Sequence, residues 1–124
     1  MKTLYDCIFV GIGGMLGAIS RYLITLIPLK SEHGLPYLTL IINMSGAFLI
    51  GLIVALVDRE VLMNKQMILF LKVGICGGFT TFSTFSLESY NLIQNGQVVL
   101  ALAYMMLSAL ICLGAIELAQ QVIH

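Results

Sequence analysis

Charged residues are scarce in this chain of 124 amino acids. Asp, Glu, Lys and Arg make up 10% of it, against roughly a quarter in an ordinary soluble domain. So few charges cannot coat a water-facing surface, so either lipid is the solvent or the protein is buried in an assembly. The six basic residues are balanced by six acidic ones. Without a basic stripe, a nucleic-acid partner has no electrostatic support. Histidine occurs only as His33, in a loop, and His124, at the terminus. No Ser/His/Asp or Cys/His constellation can be built from these two, so the sequence does not point to an enzyme. Cys7, Cys76 and Cys112 lie in separate apolar segments without metal-ligand spacing and read as small packing residues. Tryptophan is absent, and the only prolines are Pro28 and Pro36.

What the chain does have is apolar length. It is 60% hydrophobic, with a mean hydropathy of +1.04. A spanning helix needs about 20 mostly apolar residues, and four such runs are present: about 4–27, ended by Pro28; 37–57, started after Pro36 and ended by Asp58, Arg59 and Glu60; 66–92; and 98–123. The first is too long for a signal-peptide core and lacks a clean cleavage site, so it reads as a retained span. The loops between the runs are short, so consecutive helices must be antiparallel neighbours. The expected fold is a single all-α membrane domain, residues 1–124, with four transmembrane helices.

Orientation is weakly specified. With four spans, Lys2, Arg59 and Lys65 share one side, while Lys30, with Arg21 if it counts as flanking, lies on the other. Positive charge in short loops sets topology, and this near-balance is compatible with insertion both ways and an antiparallel pair, or with a single weakly held orientation.

Polar residues inside the apolar runs carry the functional argument, because they are costly in hydrocarbon and usually face a protein interior or a water path. The third run contains Gly74-Ile75-Cys76-Gly77-Gly78-Phe79-Thr80-Thr81-Phe82-Ser83-Thr84-Phe85-Ser86. Gly77-Gly78 followed by Thr80-Thr81 is poor helix material and predicts a break near mid-membrane. Such a break is tolerated only where backbone is buried in protein or lines a cavity. The plainer alternative is an unbroken helix whose Gly74 and Gly78 admit a close neighbour. Phe79, Phe82 and Phe85 recur every three residues. Their ring edges are electropositive and could hold a small anion without a fixed charge. Thr39 and Asn43 share a face of the second run, and Tyr104, Ser108 and Cys112 share a face of the fourth. Each of these can also be ordinary interhelical glue. Arg21 and Glu88 are the charges nearest the membrane interior, whereas Lys72 and Glu117 read as closer to the surface.

Three motifs taken together, Gly13-Gly14-Met15-Leu16-Gly17-Ala18-Ile19-Ser20-Arg21-Tyr22, Thr39-Leu40-Ile41-Ile42-Asn43-Met44-Ser45-Gly46 and Gly77-Gly78-Phe79-Thr80-Thr81-Phe82-Ser83-Thr84-Phe85, resemble the Fluc (CrcB-type) fluoride channels over nearly the whole chain. That resemblance implies an antiparallel, dual-topology homodimer with two fluoride-selective pores in the cell inner or plasma membrane. It implies a structural sodium ion at the dimer centre held by the backbone carbonyls of Gly77 and Thr80. It also implies a fluoride path lined by the ring edges of Phe82 and Phe85, by the Asn43 amide, and by the hydroxyls of Ser83, Thr84, Tyr104 and Ser108, with Arg21 giving positive potential at a vestibule. Cys112 departs from the pattern, standing where a hydroxyl is usual, and a thiol is a weak donor. The alternative is a small multidrug-resistance-type proton-coupled exporter. That would require an embedded carboxylate and a Trp-bearing aromatic cage, whereas the first run offers only Asp6, near its end, and the chain has no Trp.

Overall fold

The computed structural model describes residues 1–29 and 31–123, so Lys30 and His124 lie outside the described residues. The chain is helical throughout: α1 Lys2–Thr25, α2 Tyr37–Asp58, α3 Lys65–Ile68, a π-helix Leu69–Cys76, α4 Gly77–Phe79, α5 Ser83–Gln94 and α6 Val98–Ile123. Segment α3 through α5 follows one course across the molecule. With α1, α2 and α6 it makes four stretches long and apolar enough to cross a membrane.

The boundaries follow from local chemistry. Pro36 stands immediately before α2, where its missing N–H costs no helical bond. At the start of α3, Asn64 caps the helix by accepting the Met67 N–H at 2.9 Å. Gly96, at φ 79°, turns the chain between α5 and α6, a conformation that favours glycine. Gln97 donates to the His33 carbonyl at 3.2 Å and ties that turn to the α1–α2 loop. At the opposite end, Asp6 accepts from Lys65 at 2.7 Å and from Gln66 at 3.3 Å, fastening α1 to α3.

Two close pairings build the molecule. α1 lies against the π-helix and α4, and α2 lies against α6. In the first pairing, glycine meets glycine. A methyl on Gly13 would run into the Phe70 carbonyl and the Gly74 backbone, one on Gly17 into the Ile75 carbonyl, and one on Gly78 into the Gly14 carbonyl. Without a hydrophobic force between helices in lipid, such small-residue seams allow the close van der Waals contact that holds them. In the second pairing, Gly51 accommodates Ala119 and Ile116, and Gln120 donates to the Gly51 carbonyl at 2.9 Å. A small core of Leu92, Ala101 and Tyr104, flanked by Leu35, Leu40 and Phe85, closes the α5–α6 end. Large apolar side chains such as Leu16, Leu23, Met106 and Leu113 point outward, the reverse of a water-soluble protein.

Candidate functional site

Regular helix ends at Phe79 and resumes at Ser83, and Thr80 between them is extended at ψ 157°. Side chains take over the backbone bonds there. Asn43, from α2, accepts the Thr81 N–H at 2.8 Å through Oδ1 and donates to the Thr81 carbonyl at 3.1 Å through Nδ2. One amide thus brackets Thr81 from both sides. Thr81 Oγ1 in turn accepts the Thr84 N–H at 3.1 Å, in the manner of a helix cap for α5. Thr80 uses both its N–H and its hydroxyl on the Cys76 carbonyl, at 3.0 and 2.9 Å.

This exchange has an electrostatic consequence. In an unbroken α-helix, the Thr81 N–H would return to the Gly77 carbonyl, and the Thr84 N–H to the Thr80 carbonyl. Both amides are committed to side chains instead. The Gly77 and Thr80 carbonyls are therefore released from their helical donors, and both residues line the same cleft. The Gly78 carbonyl has a different fate: it accepts from Arg21 Nε at 3.2 Å.

The cleft itself has a volume of about 440 Å³ and lies between α2, the π-helix and the segment after it, and α6. Its lining includes Asn43, Lys72, Gly77, Thr80, Thr81, Phe82, Phe85, Ser108 and Cys112. Phe82 and Phe85 sit with ring centroids 5.8 Å apart and tilted by 41°. Phe85 leans in turn on Tyr104, at 5.2 Å and 46°. Phe82 is 79% exposed, while Tyr104 is fully buried and Ser108 is 5% exposed. The hydroxyls of Tyr104 and Ser108 are buried with no hydrogen-bond partner among the described residues. Each such group costs roughly 1–3 kcal/mol, so two together along one helix are expensive unless something else uses them.

Of the residues singled out from the sequence, Asn43, Gly77, Thr80, Phe82, Phe85 and Ser108 come together in the cleft. Tyr104 stands behind Phe85. Ser83 and Thr84 begin α5 beside Thr81, off the cleft lining, with Ser83 Oγ 3.4 Å from Thr81 Oγ1. Arg21 lies on the α1 side, bound to the backbone next to the interruption. Glu88 accepts from Thr39 at 2.5 Å. Sequence reasoning gave no cleft role to Thr81, Cys76 or Lys72. The spacing of Lys72, Cys76 and Gly77 carries a usable signal once the π-helix is known. Hydrogen bonding of i→i+5 type widens the turn, so residues four and five apart share a side.

A hard monovalent cation takes oxygen ligands such as backbone carbonyls. The released carbonyls of Gly77 and Thr80 fit that chemistry, and the space beside Gly77 is open, with nothing within 4 Å of where a Cβ would stand. No cluster of three or more His, Cys, Asp or Glu exists among the described residues, so carbonyl oxygen is the donor set on offer.

Comparison with known proteins agrees in extent and in kind. The family model described as CrcB-like protein, Camphor Resistance (CrcB), matches residues 8–120. A protein of Ruminiclostridium cellulolyticum named fluoride-specific ion channel FluC is 47% identical over 97% of this chain and 93% of its own length. Proteins of the same name from Methylobacterium radiotolerans and Clostridium perfringens are 39% and 44% identical, over 94% and 87% of this chain and 82% and 85% of their own lengths. These relatives are named as channels, not enzymes, and with the four spans they make this a multi-pass membrane protein. The chain belongs to the CrcB-like protein family.

Proposed function

We propose that this protein is a passive, fluoride-selective channel that exports cytoplasmic fluoride across the cell inner or plasma membrane, and that it works as an antiparallel homodimer with two pores. One observation carries the reading: the cleft gathers uncharged donors, and two buried hydroxyls beside it have no partner of their own. Fluoride is small and strongly hydrated. Several close hydrogen-bond donors are needed to replace its water, and binding must stay weak enough for release.

Asn43 supplies the first donor. Its Nδ2 carries two hydrogens, and only one is committed, to Thr81, which leaves one for the ion. Ser108 and Tyr104 turn their free hydroxyls to the passing anion, and the ring edges of Phe82 and Phe85 solvate it between donors. Ser83 and Thr84 act at the end nearest α5, and Arg21 holds the turn that positions this wall while contributing positive potential.

The dimer reading is supported by the surface. Phe82 is mostly uncovered in a single chain, and one copy has too few helices to enclose a path. A second, inverted copy would cover it and bring two further carbonyls to those of Gly77 and Thr80. Together they would hold a structural sodium ion, which when bound supplies a fixed positive charge at the centre. The driving force is electrical. An inside-negative potential gives about 2.3 kcal/mol per charge per 100 mV, and no coupled proton is required.

The test is fluoride efflux from liposomes holding the purified protein, with chloride as control. Rapid fluoride loss with negligible chloride loss is expected. Equal loss of both halides, or neither, would sink the proposal.

A further inference from the structure

Among the described residues that line the cleft, Lys72 carries the only formal charge, and none is a carboxylate. It lies about two helical turns from Lys65, inside the third span. It is exposed and makes no hydrogen bond or ion pair with the described residues. A charge within a spanning segment normally faces an interior or a water-filled cavity, and it pairs with something. The other cations near the site are already engaged: Arg21 with the Gly78 carbonyl and Lys65 with Asp6. The π-helix places Lys72 on the cleft side with Cys76 and Gly77. Lys72 therefore lines the same cleft as Asn43 and Ser108 and has no counter-ion among the described residues.

We infer that Lys72 forms an anion-capture site at the mouth of the cleft, taking small hydrated monovalent anions before the neutral donors deeper in strip their water. The site is distinct in chemistry from the uncharged track. An ammonium is a strongly hydrated point charge with no geometric fork, so it concentrates anions of any kind and selects none. Selection then belongs to the amide, hydroxyls and rings. As the step that feeds the pore, this inference rests on the fluoride-channel reading; as a binding site, it can be tested without it.

The first measurement uses a thiol already in the cleft. Cys112 lines it and is part exposed, Cys76 is buried, and Cys7 is exposed on α1 away from it. In a Cys7→Ser background, a sulfonate-bearing methanethiosulfonate should modify the cleft thiol faster than an ammonium-bearing one. Lys72→Gln should lower that preference about tenfold, because one unit charge roughly 6 Å away in water changes the rate of each reagent about threefold, in opposite directions. Lys72→Arg should keep it. Raising the salt from about 0.01 to 1 M shrinks the screening length from about 30 to 3 Å and should erase the difference between Lys72 and Gln. An unchanged preference in Lys72→Gln would overturn the site, as would a cleft thiol that neither reagent reaches.

The second measurement is fluoride efflux at low salt, where Lys72→Gln should be about threefold slower than wild type and the two should converge at high salt. A wild type that conducts fluoride, with Lys72→Gln equal to it at low salt, would overturn the feeding role and leave the channel reading standing. A wild type that conducts no fluoride would sink the channel reading while the reagent preference still decides the site.

Discussion

If Ser108 and Tyr104 donate to the ion as proposed, stability and function make opposite demands on them, and substitution separates the two. Neither hydroxyl has a partner among the described residues, so removing either one breaks no protein hydrogen bond. Ser108→Ala and Tyr104→Phe should therefore leave thermal stability in detergent within about 0.5 kcal/mol of wild type or slightly raise it. Fluoride efflux should fall at least tenfold, since a lost donor leaves the dehydrated ion short of about 1.5 kcal/mol or more. If these hydroxyls were only glue between helices, stability would drop and flux would hold. On the proposed reading Asn43 behaves differently, because it would serve both roles. In Asn43→Asp the Nδ2 donors are gone, a second oxygen faces the Thr81 carbonyl, and a carboxylate repels the anion. Flux should fall below detection in the same assay, and the fold should lose roughly 1–3 kcal/mol of stability with the displaced part-buried bond, read as a lower melting temperature.

The helices divide into what the sequence made plain and what it hid. Run lengths of about 20 apolar residues place all four spans to within a few residues, because hydrocarbon thickness dictates them. Gly77-Gly78 and the threonines mark the stretch where Thr80 is extended, since these residues hold a helix poorly. The alternative use of Gly74 and Gly78, close packing, is present as well: both abut α1 at Gly13 and Gly14. Close packing does not require the unbroken helix of that alternative: helix ends at Phe79 and resumes at Ser83 while Gly74 and Gly78 still form the seam with α1. The π-helix left no such mark. Leu69–Cys76 has an ordinary apolar composition, and its widened turn depends on tertiary packing. That is why Lys72 reads from sequence as a near-surface residue and yet lines the cleft. The seam makes a sharp prediction. Gly78→Ala drives a methyl into the Gly14 carbonyl and should cost about 1–3 kcal/mol. Gly11→Ala, on the same α1 but meeting nothing within 4 Å, should be neutral or stabilise by up to about 1 kcal/mol. Thermal unfolding of the two variants in one detergent distinguishes a packed glycine from an incidental one.

Over the whole molecule, the question is what covers the cleft. A single chain leaves Phe82 standing out at 79% exposure and Gly77 facing open space, so a side chain added at Gly77 meets no obstacle within its own copy. Gly77→Ala is therefore the substitution that separates one copy from two. If an inverted second copy closes on this face around a shared cation, the added methyl lies at the junction. The variant should then fold with wild-type helix content but dimerise at least tenfold more weakly, read by concentration-dependent exchange of labelled subunits in lipid. A face that meets only lipid tails would tolerate the methyl, and subunit exchange would be unchanged. The near-balance of Lys2, Arg59 and Lys65 against Arg21 and the sequence-placed Lys30 makes the same point about direction. Two arginines added to the 59–64 loop should commit every chain to one orientation. On the antiparallel reading, such chains alone lose fluoride efflux. Mixed with chains carrying two arginines in the 29–35 loop instead, they should regain it. A fully active, singly oriented protein would mean that the working unit does not need its inverted twin.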